Sequence, residues 1–67
     1  MLKASLRHHS PEAIYNFLNE NVGPLYMLVK NGYAIINFED PTHNREAFAR
    51  YKNYSFEGIL LSLTKYT

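Results

Sequence analysis

Two residues, Asn31 and Gly32, constrain this chain's fold more than any others. They separate the runs "LYMLVK" and "YAIINF". An Asn-Gly pair between two such runs is the strongest short hairpin signal, because both residues tolerate positive φ. Reversing the chain there opposes Lys30 to Tyr33, Val29 to Ala34, Leu28 to Ile35, Met27 to Ile36, Tyr26 to Asn37 and Leu25 to Phe38. Directly opposed residues of an antiparallel pair share a face. One face therefore holds Leu25, Met27, Val29, Ala34, Ile36 and Phe38, is uniformly apolar, and is predicted to be core. The other holds Tyr26, Leu28, Lys30, Tyr33, Ile35 and Asn37 and is mixed in character.

A helix is predicted on either side of this hairpin. In "SPEAIYNFLNEN" Ser10 serves as N-cap and Pro11 takes N1, where its missing N–H costs nothing. Ile14, Phe17 and Leu18 then form one buried stripe, and Gly23-Pro24 ends the segment. "DPTHNREAFARYK" repeats the device with Asp40 and Pro41, a stripe of Ala47, Phe48 and Tyr51, and Arg50 and Lys52 near the C-terminal end, where the helix dipole favours cations. His43, in the first turn, is predicted to face solvent.

The ends supply two more strands. "LKASL" alternates Leu2, Ala4 and Leu6 with Lys3 and Ser5, and "GILLSLTKY" turns Leu61 and Leu63 inward and Ser62, Thr64 and Tyr66 outward. The order β-α-β-β-α-β defines an α+β, ferredoxin-like fold, a four-stranded antiparallel sheet with both helices on one face. Its other face is left uncovered for binding. At 67 residues the chain is predicted to form one domain over 1–67, and its 46% hydrophobic and 19% charged residues suffice for a core. With no cysteine, neither a disulfide nor a thiolate zinc site braces it. A formal charge of +1 is a weak lure for phosphates, so nucleic-acid binding has to come from particular side chains. The apolar runs are too short for a membrane helix or a signal peptide, and an intracellular, soluble protein or excised domain is the expectation.

Within this order the segment "NGYAIINF" resembles the octapeptide of the RNA recognition motif, K/R-G-F/Y-G/A-F-V-x-F/Y. "FEDPTHNREAF" is similar to that family's strand-to-helix junction and "NYSFEGILLSL" to its approach to the last strand, so the resemblance runs from Leu2 to about Lys65. It implies a domain that stacks bases of single-stranded RNA on aromatics of the two central strands. It also implies an intracellular setting, nuclear or cytoplasmic, in work such as mRNA processing. The first aromatic of the octapeptide falls on Tyr33, which the hairpin register independently puts on the open face. The second position holds Ile35, and the aromatic of the first strand is replaced by Lys3, or by Leu2 if the register slips by one. The leading cation becomes Asn31, with Lys30 one residue earlier.

The expected RNA-binding residues are thus Tyr33 as stacker, Ile35 and Leu28 as apolar floor, and Lys30 and Lys3 as phosphate contacts, with Lys65 a further cation. Asn37 lies on the same face. Tyr26 and Tyr66 either add aromatic surface or sit as partly buried edge tyrosines. The expected binding is weak and degenerate. The alternative is a protein-interaction module, in which a partner chain or a second copy covers the Tyr26, Leu28, Tyr33 and Ile35 face. An Arg-x-Phe peptide-binding turn is matched at Phe56 but not at Tyr54. His8-His9 has no third ligand in view and reads as a turn rather than a metal site. Each serine is explained by a cap, strand or turn, the acids lie at helix starts or turns, and no glycine-rich phosphate loop occurs. A non-enzyme without cofactor is expected.

Overall fold

The hairpin folds in the predicted register, from Leu25 opposite Phe38 to Val29 opposite Ala34. The structure, a computed structural model, describes residues 1–66; Thr67, the last residue of the expected domain, lies outside them. Its elements are β1 (Leu2–Ser5), α1 (Pro11–Asn21), β2 (Leu25–Val29), β3 (Tyr33–Phe38), α2 (Pro41–Tyr51), β4 (Asn53–Phe56) and β5 (Ile59–Lys65). Around the bend the Lys30 N–H donates to the Tyr33 carbonyl at 2.8 Å. Only Gly32 takes positive φ, at 89°, so a single residue of the Asn-Gly pair uses the left-handed region. The Gly32 carbonyl accepts the Leu6 N–H at 3.0 Å, which ties the bend to the chain leaving β1.

Both helices begin as their sequences dictate. Ser10 Oγ accepts the Ala13 N–H at 3.1 Å, and Asp40 Oδ1 accepts both the Thr42 N–H at 2.9 Å and the Thr42 hydroxyl at 2.8 Å. Each cap satisfies a donor that the first helical turn would leave open. The two Thr42 hydrogen bonds stabilise the charged carboxylate and hold Asp40 below its ordinary pKa. α1 stops where the Val22 and Gly23 N–H groups both reach the Leu18 carbonyl.

All strand pairs are antiparallel, in the order β2-β3-β1-β5-β4. The expected four strands are present, with one correction: "NYSF" is a fifth, β4, paired along the outer edge of β5. Glu57 (φ 56°) and Gly58 (φ 80°) form the bend between them, and two consecutive positive φ values match the right-handed twist of a tight hairpin. β4 is held by aromatics. Phe17 of α1 lies with its centroid 4.7 Å from Phe56 and 5.5 Å from Tyr54, and Tyr51 of α2 is 5.0 Å from Tyr54. Such pairs contribute about 0.5–1.5 kcal/mol each beyond the area they bury.

The main core cluster lies between the helices and one face of the sheet. Leu2, Ala4, Leu25, Ile36, Phe38, Leu61 and Leu63 meet Ile14, Leu18, Ala47 and Tyr51 of the helices there. Two histidines are held by packing. His43, expected to face solvent, is only partly exposed: its ring lies edge-on to Phe38 at 6.3 Å, and a Cβ on Gly23 would come within 2.7 Å of its Nδ1, so glycine makes room for it. His9, read as part of a turn, is buried at 7% exposure with its ring 5.1 Å from Phe56.

Candidate nucleic-acid interface

Strand alternation decides what the uncovered face displays. Lys3 pairs with both Ile35 and Thr64, and Ile35 pairs in turn with Leu28, so Leu28, Ile35, Lys3 and Thr64 form one row across four strands. Ser5 pairs with Tyr33 and begins the next row, toward the bend. Tyr26 pairs with Asn37 toward the opposite end, where the Tyr66 N–H also donates to the Met1 carbonyl at 3.0 Å. Tyr33 and Asn37 are four residues apart, which at about 3.3 Å per residue separates the two ends by roughly 13 Å. The site is therefore a strip: a phenol at one end, an apolar waist, and two exposed tyrosines with an amide at the other.

Each expected residue has a definite surrounding. Tyr33 is half-buried, and the Lys3 ammonium stands 5.0 Å from its ring centroid. Ile35 lies on the open side yet is only 7% exposed, because neighbouring strands flank it, whereas Leu28 on edge strand β2 is 57% exposed. The accessible apolar surface of the waist is therefore Leu28 more than Ile35. Lys30 is exposed beside the bend. Tyr26, at 65% exposure, and Tyr66, at 40%, are exposed rather than partly buried at an edge. Asn37 is exposed, but its Oδ1 accepts from Asn44 Nδ2 of α2 at 3.2 Å, and the Asn44 Oδ1 accepts the Phe38 N–H. Lys65 departs from the group. Its register partner is the core residue Leu2, and its ammonium sits 5.2 Å from the Phe48 ring of α2, on the helix side.

A cleft of about 380 Å³ that sequence reasoning missed opens at the C-terminal end of β1, lined by Ser5, Arg7, His8, His9, Ile59, Leu60 and Ser62. Leu60 shares the outward parity of Ser62 and Thr64, which was the available signal, but its position beside His8 depends on the β4–β5 hairpin.

These features define an open-faced α+β architecture, a helix-backed sheet whose other surface is bare and carries the candidate side chains. No family model and no curated protein matches the sequence. Solved structures do. The third RRM of Pes4 is 28% identical with a TM-score of 0.71, covering 98% of this chain and 87% of that one. The Nab3 RRM, which recognises cis elements of non-polyadenylated RNAs, is 22% identical with a TM-score of 0.69 over 94% and 88% of the two chains. The third RRM of Mip6 is 13% identical with a TM-score of 0.70 over 94% and 86%. The chain has the RNA recognition motif fold, at low sequence identity to each of these domains.

Proposed function

We propose that the chain is a single RNA-binding domain that takes single-stranded RNA along the strip between Tyr33 and the Tyr26–Tyr66 end, weakly and with little sequence discrimination. The observation that carries this reading is the Tyr33 ring on the uncovered face, with a lysine ammonium 5.0 Å from its centroid. An exposed cation–π contact is worth about 0.5–1 kcal/mol, and a base stacked on an aromatic about 1–3 kcal/mol. Stacking therefore displaces the ammonium, and the released Lys3 becomes a phosphate contact next to the base it admitted. Leu28 and the rim of Ile35 supply the apolar waist. Lys30 meets the backbone beyond Tyr33, and Tyr26 and Tyr66 flank the far end. Asn37, partly engaged by Asn44, retains polar capacity for a base edge. Weak binding follows from one stacking aromatic at the centre and few cations, and the affinity falls only shallowly with salt. Recognition of RNA cis elements by the Nab3 RRM, on a similar fold, supports the substrate class.

The test is a titration of labelled single-stranded oligonucleotides against wild type and Tyr33→Ala. The expected result is a loss of about five- to a hundredfold on removing the ring. Equal affinity of the two proteins removes Tyr33 from the mechanism.

A second reading is favoured by one feature, the bare β2 edge with Tyr26, Leu28 and Val29 all exposed. In it a second copy or a partner chain covers this edge and the adjoining face. Sedimentation without RNA, comparing wild type with Leu28→Asp, tests self-association: a dimer that the aspartate dissociates supports it, and a wild-type monomer counts against it.

A further inference from the structure

On the helix side, away from the strip, a groove of about 180 Å³ opens where one flank of α2 passes the start of β1 and the end of β5. Leu2 is buried at its floor, Phe48 is half-buried and Met1 exposed beside it, and Asn44, Arg45 and Lys65 complete the lining. Helical spacing builds the α2 wall. Arg45, Phe48 and Lys52, at i, i+3 and i+7, fall on one flank of the helix. Glu46, the one acid of α2, lies on the opposite flank, where its carboxylate accepts from Arg50 Nη1 at 2.9 Å. The Lys65 and Lys52 ammonium groups stand 5.2 and 5.4 Å from the Phe48 ring centroid. Among the described residues no acid pairs with Arg45, Lys52 or Lys65, and none lines the groove. Three of the chain's seven Lys and Arg residues thus gather around one ring, so this spot is cationic although the net charge is only +1.

Size and chemistry select the occupant. The groove is smaller than the roughly 300–1,000 Å³ of sites that enclose a drug-sized ligand, and it suits one or two apolar side chains. A nucleobase is poorly served there. The Asn44 amide, the one uncharged polar side chain of the lining, is already bonded to the Phe38 N–H and to Asn37 Oδ1. Stacking on Phe48 would also displace the ammonium groups from its ring. Carboxylates beside an apolar side chain meet those cations where they stand. We propose that the groove docks an acidic segment of a partner protein, with an apolar side chain against Phe48 and Leu2 and flanking carboxylates on Arg45, Lys52 and Lys65. Charge complementarity of this kind guides encounter and excludes basic partners. The groove faces away from the strip, so the proposal stands independently of the RNA reading.

The experiment titrates the chain with a fluorescein-labelled octapeptide in which a Leu-Phe pair is flanked on both sides by Asp and Glu. Two control peptides replace the central pair by alanines or the acids by lysines. Wild type is compared with the double variant Arg45→Glu, Lys65→Glu; both side chains are exposed, and the amide spectrum reports that the fold is kept. The expected result is binding of the acidic Leu-Phe peptide that shifts the amides of Leu2, Arg45, Phe48 and Lys65 and weakens as salt is raised. The alanine peptide and the double variant should each lose affinity by about tenfold or more, and the lysine peptide should not bind. No binding of the acidic peptide by wild type, equal affinity for the acidic and basic peptides, or an unchanged affinity in the double variant overturns the proposal. So does a single-stranded RNA pool that shifts these amides where the peptide does not, which would make the groove a nucleic-acid surface.

Discussion

At the residue scale, the side chains that matter are those whose surroundings give them more than one task. Lys3 covers the Tyr33 ring in the free protein, and in the proposed complex it is released to meet a phosphate once a base replaces it. Asp40 caps α2 as a carboxylate, and hydrogen bonds from Thr42 hold its pKa below the ordinary 3.8. A carboxylate whose folded pKa is depressed adds stability that is complete above the unfolded value and is lost as pH falls through the folded one. Thermal stability should therefore drop as pH is lowered below about 4, and Asp40→Asn should make this acid limb shallower. Melting curves of the two proteins between neutral and acidic pH check this; parallel acid limbs would show that Asp40 is not a contributor. Tyr33 was legible in the sequence because an octapeptide match and a hairpin register agreed on it. The burial of His9 and the half-burial of His43 were not legible, since each depends on a residue far along the chain, Phe56 for one and Gly23 for the other.

At the element scale, both helices and the central hairpin were readable because each carries strong local punctuation: Ser10-Pro11, Asp40-Pro41 and Asn31-Gly32. β4 carries little. It is four residues long, and its bend uses Glu57-Gly58, in which glutamate gives no hint that it takes φ 56°. Its presence is decided by Phe17, Tyr51, Tyr54 and Phe56 coming together, a tertiary event. The same bend yields a prediction. Asparagine tolerates the left-handed region better than glutamate, so Glu57→Asn should stabilise the domain by about 0.5–1 kcal/mol. For a domain of this size that raises the midpoint of thermal unfolding by roughly 2–8 °C. A lowered midpoint would show that the β4–β5 bend is not the tight, doubly left-handed one described.

At the scale of the whole molecule, the proposed function rests on asymmetry. Among the described residues thirteen apolar ones are buried, most of them between the helices and one face of the sheet, and the opposite face is left with Tyr33, Leu28, Tyr26 and Tyr66 reaching solvent. A 67-residue domain is only marginally stable, so four apolar or amphipathic side chains kept on a bare sheet signal use rather than packing. The measurement that tests this most directly is an amide chemical-shift map of the isolated domain titrated with a pool of single-stranded RNA. The predicted shifts concentrate on Lys3, Ser5, Leu28, Tyr33 and Ile35, on the sheet side of β1, β2 and β3, while the outer surfaces of α1 and α2 stay silent. Shifts confined to the helices, with the sheet face unchanged, would contradict it.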